Sequence, residues 1–105
     1  MRHAIVFGPE AVADLRTLGA NIRTKVLDAI ERHLRFNPTA TSKSRIKRLE
    51  GMARPQYRLR IDDVRVLYDV YESTVNLIAV VPKSRMAAWL RQFGEENGHE
   101  TGDRI

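Results

Sequence analysis

The chain has 105 residues, of which 43% are hydrophobic and 30% charged, and its formal net charge is +5; these values are typical of one globular domain with a modest core. The absence of cysteine excludes disulfides and thiolate chemistry, and no apolar run approaches the roughly 20 residues that a membrane helix needs. Because the N-terminus is also too short in apolar length for a signal peptide, we expect a cytoplasmic protein with no membrane partner.

The first part of the chain predicts a strand followed by two helices. Residues 3–7 form the strand, and Gly8-Pro9-Glu10 ends it and opens a helix, because proline suits the first helical turn. This helix, residues 11–18, ends at Gly19, and a second helix runs over about residues 20–36. The second helix has one apolar stripe, formed by Ile22, Val26, Ala29, Ile30, His33 and Leu34. We expect two antiparallel helices that bury these stripes.

Basic residues are concentrated in the segment from Lys43 to Arg65. It holds eight lysines and arginines against three acidic residues, a difference equal to the net charge of the whole chain. The basic residues are Lys43, Arg45, Lys47, Arg48, Arg54, Arg58, Arg60 and Arg65. Such concentrated basicity points to a nucleic acid, an anionic surface or an acidic protein partner.

A β-hairpin is predicted over residues 57–70, and the rest of the chain is organised around it. Apolar and basic residues alternate before Asp62-Asp63, and β-branched and aromatic residues follow it. Asp62-Asp63 is the predicted turn, since aspartate tolerates the left-handed backbone. A two-residue turn places Arg60 opposite Arg65 and gives one face to Tyr57, Leu59, Ile61, Val64, Val66, Tyr68 and Val70.

The other face of this hairpin carries Arg58, Arg60, Arg65 and Leu67. Directly opposed like charges destabilise a strand pair, so the arrangement calls for an explanation. One interpretation is a solvated face whose charges are offset by neighbouring aspartates. The other is a binding site for a polyanion, most simply RNA or DNA phosphate. We expect this face to be the open side of the sheet, with Arg65 contributing charge and little core.

The last part of the chain predicts a buried strand, a short helix and a tail. Residues 74–81 are almost all apolar, as in a central strand buried on both faces, and Pro82 ends the strand. Residues 86–93 form the helix, and residues 95–105 form a polar tail expected to be disordered or ordered only by a partner. We thus predict an α+β domain over residues 1–94, with an antiparallel sheet of about four strands, a two-helix hairpin on one face and a short C-terminal helix.

The chain resembles the RelE/ParE superfamily of toxins from bacterial type II toxin–antitoxin systems. The resemblance covers about residues 3–93. It rests on Ile5-Val6-Phe7 before a helix, on Lys47-Arg48-Leu49-Glu50-Gly51, on the hairpin from Tyr57 to Tyr68, and on Lys83-Ser84-Arg85 after the last strand. It implies a small toxin neutralised by a cognate antitoxin, with no cofactor and no metal.

RelE-like members of the superfamily cut mRNA in the ribosomal A site, where the 2′-hydroxyl attacks the adjacent phosphate to leave a cyclic phosphate and a 5′-hydroxyl. Carried onto this sequence, the resemblance implies catalytic roles for Arg58, Arg60, Arg65 and Arg85. Converging guanidinium groups suit that chemistry because they stabilise a dianionic transition state. The further RNA-binding candidates are Lys43, Arg45, Lys47, Arg48, Arg54, Lys83, Trp89 and Arg91.

The sequence departs from the family pattern at the residues that would move a proton. Arginine does not lose its proton in proteins, so Arg58 and Arg60 cannot replace a basic lysine. The final helix offers Trp89 and Arg91 where the family often has a tyrosine; Trp89 is either a stacking platform for RNA or a core anchor. Two alternatives to an mRNA endonuclease therefore stay open: a ParE-like DNA gyrase inhibitor without chemistry, and an inactive homologue that acts only in an antitoxin complex.

Overall fold

The predicted hairpin lies inside a five-stranded sheet in the structure, a computed structural model that describes residues 1–97. The strands are β1 (Ala4–Phe7), β2 (Ile46–Arg48), β3 (Met52–Arg54), β4 (Tyr57–Ile61), β5 (Val64–Tyr71), β6 (Thr74–Pro82) and β7 (Glu95–Glu96). The helices are α1 (Pro9–Arg16), α2 (Ala20–Leu34) and α3 (Met86–Phe93), and the 3-10 turn Lys83–Arg85 precedes α3.

The spatial order of the main sheet is β1-β6-β5-β4-β2. All neighbouring strands are antiparallel except β1, which runs parallel to β6. The helices α1 and α2 carry the chain from β1 at one edge of the sheet to β2 at the opposite edge. The predicted α+β architecture is confirmed, and the sheet has one strand more than the four expected because β2 pairs with β4.

The hairpin has the register predicted from its two-residue turn. Tyr57 pairs with Tyr68, Arg60 with Arg65 and Ile61 with Val64. Asp62 in the turn has a φ of 52°, the left-handed conformation that aspartate tolerates. Because side chains alternate along a strand, this register separates an apolar face from a basic face.

The main core lies between the apolar hairpin face and the helices α1 and α2. Val26, Ile30 and Leu34 follow the four-residue spacing of one helical stripe, and all three are buried. The sheet side of this core consists of Ile46, Leu59, Ile61, Val64, Val66, Tyr68, Val75, Leu77 and Val80. Full burial of one large apolar side chain stabilises the fold by about 1.5–3 kcal/mol, so this layer is the main source of stability.

The opposite face of the sheet is covered in part, which corrects the expectation that it is open. Leu67, Ala79 and Val81 are buried there beneath α3, with Met86, Trp89 and Leu90 packed against them. The apolar strand β6 is central and buries both faces, so it needs a covering element on each side. Helix α3 covers the β5–β6 half of this face. It does not cover the β4–β2 half, where Arg60 and Lys47 are exposed.

The start of the predicted tail takes part in a second, two-stranded ladder. Glu95 pairs with Arg54 and Glu96 with Met52, so β7 lies antiparallel to β3. Residues 98–105, including His99, lie outside the described residues. Within residues 1–97, no helix has the length and apolar character needed to cross a membrane.

Candidate nucleic-acid interface

Three strands together present a group of basic side chains on one side of the sheet. Arg58 and Arg60 alternate with buried residues on β4, and β5 brings Arg65 directly opposite Arg60. Lys47 on β2 pairs with Arg58 from the other side. We refer to Lys47, Arg58, Arg60 and Arg65 as the arginine face. The sequence predicted Arg58, Arg60 and Arg65 on one face of the hairpin, and the pairing of β2 with β4 adds Lys47 to them.

Arg58 and Arg60 are positioned to meet an anion. Arg60 is exposed, and Arg58 is half-buried with its Nη1 donating to the backbone oxygen of Arg45 at 3.2 Å. Burial lowers the pKa of Arg58 from its usual range, and the charges of Arg65 and Arg60 lower it further. Because the charges of Arg65 and Arg60 add to the effect of burial, an incoming phosphate would offset part of this repulsion.

Arg65 differs from the prediction because it is buried and held in place. Only 5% of the residue is exposed, and its Nη1 donates to the backbone oxygens of Asp62 at 2.8 Å and Val64 at 3.1 Å. Burial lowers its pKa, Arg60 lowers it further, and Asp63 opposes the shift. Arg65 therefore contributes to the packing of the hairpin end as well as to its charge, which corrects the expectation that it adds little to the core.

Within residues 1–97, the hydrogen bonds of the Arg65 guanidinium use only one of its three nitrogens. Among the hydrogen bonds within residues 1–97, the two donations of Arg65 both come from Nη1. A guanidinium also carries N–H donors on Nε and Nη2. A nearly buried guanidinium that is held by backbone carbonyls and flanked by Arg60 would need little rearrangement to bind an anion.

The residues after β6 lie beside the hairpin end. The backbone nitrogen of Lys83 donates to the oxygen of Asp63 at 2.7 Å, which fixes the 3-10 turn against the hairpin. Lys83 and Arg85 are exposed in that turn, and Arg91 is exposed on α3. Roles for these three residues in binding RNA or in catalysis remain predictions.

Trp89 packs as an anchor of α3. It contacts the small core of Leu67, Ala79 and Val81, and its ring lies 5.4 Å from that of Phe93 in a tilted arrangement. The half-buried ring also lines a groove of about 540 Å³ between α3 and the start of α1. The packing accounts for the tryptophan, and stacking on RNA remains a prediction.

Of the remaining basic candidates, Arg54 and Arg48 are engaged by other groups, whereas Arg45 adjoins the arginine face. Arg54 pairs with Asp69, with Nε and Oδ2 3.3 Å apart, so its charge is partly compensated. Arg48 lies over the ring of Tyr57, 5.5 Å from its centre, and donates to the backbone oxygen of Gln56 at 2.8 Å. Lys43 and Arg45 are exposed, and Arg45 reaches toward Arg60, donating from Nη1 to its backbone oxygen at 3.1 Å.

Sequence reasoning missed the polar side of the groove beneath α3. Asp69 lies there, with its Oδ1 accepting from the nitrogen of Gln56 at 2.8 Å and with Arg54 beside it. Burial raises the pKa of Asp69, although Gln56 and Arg54 act in the opposite direction. Its position was available from the alternation of β5, which places Asp69 on the same side as Arg65 and Leu67.

Neither Tyr68 nor the described histidines belong to the arginine face, and the carboxylates that adjoin it are those of the turn: Asp62 lines a pocket with Arg60, and the charge of Asp63 acts on Arg65. Tyr68 is buried on the opposite face and donates its hydroxyl to the oxygen of Pro38 at 2.6 Å, and burial raises its pKa. His33 lies on α2, and His3 adjoins the N-terminus, where its Nδ1 is 3.1 Å from the oxygen of Met1. Within residues 1–97, no three His, Cys, Asp or Glu side chains are grouped to hold a metal ion.

The sequence matches one known protein family over most of its length. Residues 5–87 match the family described as ParE toxin of type II toxin–antitoxin system, parDE. No curated protein matches the sequence.

Solved structures share the fold. The chain has a TM-score of 0.66 and 24% identity to a chain of the archaeal RelE–RelB complex from Pyrococcus horikoshii, covering 81% of this chain and 99% of that one. For a chain of the RelB–RelE antitoxin–toxin complex from Methanococcus jannaschii the TM-score is 0.63 and the identity 21%, covering 80% of this chain and 96% of that one. For a double arginine-to-alanine mutant of E. coli toxin RelE in the free state the TM-score is 0.69 and the identity 18%, covering 89% of this chain and 99% of that one.

Proposed function

The chain belongs to the ParE toxin family of the RelE/ParE superfamily and is the toxin of a type II toxin–antitoxin system, and from this premise we propose that it inhibits translation as a RelE-like endoribonuclease that cuts mRNA on the ribosome. Its partners are then mRNA, the ribosome and a cognate antitoxin, and it acts in the cytoplasm. The proposal needs no cofactor.

The proposal rests mainly on the burial and the hydrogen bonding of Arg65. The residue is 5% exposed, its guanidinium is anchored through Nη1 to two backbone oxygens, and it pairs across the strands with Arg60. A fixed cation of this kind costs little reorganisation when charge develops on a bound phosphate. The more accessible Arg58 and Arg60 would hold the same phosphate through their planar forks.

The contribution of these arginines is electrostatic. When the 2′-hydroxyl oxygen bonds to the adjacent phosphorus, the bond from phosphorus to the 5′ oxygen breaks, and a cyclic phosphate and a 5′-hydroxyl result. The 2′-hydroxyl proton must leave, and the 5′ oxygen must gain one. Arginine remains protonated at neutral pH, so Arg58, Arg60 and Arg65 stabilise the charged phosphorane and do not accept the proton.

One observation favours a second candidate function. The matched family is described by its ParE toxin, and three of the four residues of the arginine face are arginines, which do not accept a proton at neutral pH. A ParE-like inhibitor of DNA gyrase binds its target and performs no bond cleavage, so it needs no base.

A cellular experiment separates the two functions. The toxin is expressed from a controlled promoter, mRNA 5′ ends are mapped, and gyrase supercoiling is assayed in parallel. We expect new 5′ ends in phase with codons for the wild type and for Arg16→Gln, an exposed arginine of α1. We expect them to disappear for Arg60→Gln. Intact mRNA together with trapped gyrase–DNA complexes would overturn the nuclease proposal in favour of the second function.

The cognate antitoxin is proposed on the same family basis, with a charge argument for its chemistry. A toxin whose net charge is gathered between Lys43 and Arg65 is best covered by an acidic segment. Association should then slow as salt increases, because screening removes the long-range attraction. An association rate that is indifferent to salt in stopped-flow mixing would contradict this part of the proposal.

A further inference from the structure

A second basic site lies around the sheet edge from the arginine face. Between the last turn of α2 and the start of β2 there is a cleft of about 350 Å³. Its lining consists of Arg32, His33, Asn37, Ala40, Ser42, Arg45 and Ile46, and this set contains no carboxylate. We refer to it as the α2 cleft.

Arg45 connects the α2 cleft with the arginine face. It lines the cleft, and together with Ser44, Arg60 and Asp62 it also lines a smaller pocket. Its Nη1 donates to the backbone oxygen of Arg60 at 3.1 Å, and its backbone oxygen accepts from the nitrogen of Arg60 at 2.9 Å. A chain of cationic groups therefore continues from Arg60 over Arg45 to Arg32.

His33 lies half-buried between two of these cations. Burial lowers its pKa from the usual range, and the charges of Arg45 and Arg32 lower it further. The adjoining cleft, which His33 also lines, contains Lys25, Asp28 and Asp62. The carboxylate of Asp62 is bound by Lys25 at 2.7 Å, so it is already engaged by another cation.

Ser42 adds a neutral donor to the cleft. Its Oγ accepts from the backbone nitrogen of Arg45 at 2.9 Å. A hydroxyl that accepts from a backbone N–H keeps its own proton for donation to a ligand. The same hydrogen bond fixes the backbone from which Arg45 projects.

The helix dipole explains only part of this cluster. Cations in the last turn of a helix complement the partial negative charge there, which accounts for Arg32 and His33 on α2. It does not account for Arg45, which comes from a segment beyond the helix and adds a third cationic side chain to the same space. The combination of two guanidinium groups, an imidazole and a hydroxyl suits a phosphate group.

We propose that the α2 cleft binds a backbone phosphate of the RNA whose neighbouring phosphates lie on the arginine face. This inference rests on the proposed function for the identity of its ligand. A phosphate beside His33 would favour the charged imidazole, so a proton is taken up as RNA binds. RNA affinity should then rise as the pH falls toward and through the range in which His33 titrates.

The test uses the purified toxin and a labelled single-stranded RNA of about 12 nucleotides, with binding followed by fluorescence anisotropy. For the wild type we expect tighter binding as the pH falls from about 8 to about 5.5. His33→Gln should remove most of this pH dependence. Arg32→Gln and Arg45→Gln should each reduce the slope of log affinity against log salt by about 0.7. Arg16→Gln is the matched control and should leave both properties unchanged.

The melting temperature of every variant is measured to check folding. If Arg45→Gln is destabilised, the result for Arg32→Gln decides the test. RNA binding by Arg32→Gln and His33→Gln with wild-type affinity, salt slope and pH dependence would overturn the inference. It would also be overturned if the two substitutions weakened only the binding of an acidic oligoglutamate peptide, because the cleft would then be a protein-docking site.

The mapping of mRNA 5′ ends distinguishes this inference from the proposed function. If the cleft variants cut mRNA and bind RNA like the wild type, the nuclease function stands and the α2 cleft assignment fails. If RNA binding depends on the cleft but mRNA stays intact in cells, the cleft assignment stands and the nuclease function fails.

Discussion

Arg60 and Arg65 pair directly across β4 and β5, yet the two residues have opposite environments. Arg60 is exposed to solvent, whereas Arg65 is 5% exposed and anchored to the hairpin backbone. The pair thus combines an exposed cation that a ligand can meet first with an anchored, buried cation opposite it. This difference predicts different consequences for the loss of each side chain.

Replacement of Arg60 should remove activity without loss of stability. Like charges in directly opposed positions destabilise a strand pair, so Arg60→Gln should leave the free energy of unfolding unchanged or raise it by up to about 1 kcal/mol. Growth inhibition should be lost, since the accessible phosphate ligand is gone. Urea denaturation and a growth assay measure the two effects, with Arg16→Gln as the control. A folded Arg60→Gln toxin with full toxicity would remove Arg60 from the site.

Replacement of Arg65 should cost both activity and stability. Arg65→Ala removes two hydrogen bonds to backbone oxygens and leaves a gap at the hairpin end. Loss of a buried hydrogen-bonding partner costs about 1–3 kcal/mol, so the midpoint of urea unfolding should fall clearly below that of Arg60→Ala. If the two alanine variants unfold at the same midpoint, the hydrogen bonds of Arg65 do not stabilise the fold.

The hydroxyl of Tyr68 should stabilise the connection between α2 and the sheet. It donates to the oxygen of Pro38 at 2.6 Å inside the core, so Tyr68→Phe leaves a buried acceptor unpaired. We expect a loss of about 1–3 kcal/mol in the free energy of unfolding. Tyr57→Phe is the matched control, because the Tyr57 ring stacks on Tyr68 but is only half-buried. Equal unfolding midpoints for both variants would rule out the assigned hydrogen bond as a source of stability.

Neutralisation of Asp69 should be tolerated and should change the pH dependence of stability. The pKa of this carboxyl is raised by burial, so the folded chain holds the proton more readily than the unfolded chain. The charged form therefore costs stability at neutral pH, and the cost is relieved as the pH falls through the folded pKa toward the ordinary one. Asp69→Asn keeps an oxygen for the nitrogen of Gln56 and should be at least as stable as the wild type at pH 7.

The difference between Asp69→Asn and the wild type should then shrink on acidification. Melting temperatures measured from about pH 7 to about pH 4 would test this, with the exposed Asp28→Asn as control. If Asp69→Asn is less stable than the wild type at neutral pH and the difference shrinks in acid, the charged form of Asp69 stabilises the fold instead of destabilising it.

The alternation of residues 57–70 was enough to predict the hairpin and its two faces. A two-residue turn leaves one register, and a shift by one residue would bury Arg58 and Arg60 and expose Leu59. The structure has the predicted pairs, from Tyr57 with Tyr68 to Ile61 with Val64. The apolar stripe of α2 could also be predicted from the sequence, since the helical period places Val26, Ile30 and Leu34 on one side of the helix.

Only the tertiary structure decided which elements cover each face. Local periodicity sets the direction of a side chain relative to its own strand, but it carries no information about distant segments that pack over it. Helix α3 folds onto Leu67 and turns half of the expected open face into a second core, and Arg65 is buried at the hairpin end.

Contacts between distant segments also decided which groups each basic residue has as neighbours. Asp69 partly neutralises Arg54, while Arg32, His33 and Arg45 converge from two separate segments. Charge counting along the sequence treated Arg54 and Arg45 alike, because it includes no distances. The basic character of residues 43–65 is therefore a property of the sequence, and its division into the arginine face, a compensated ion pair and the α2 cleft is a property of the fold.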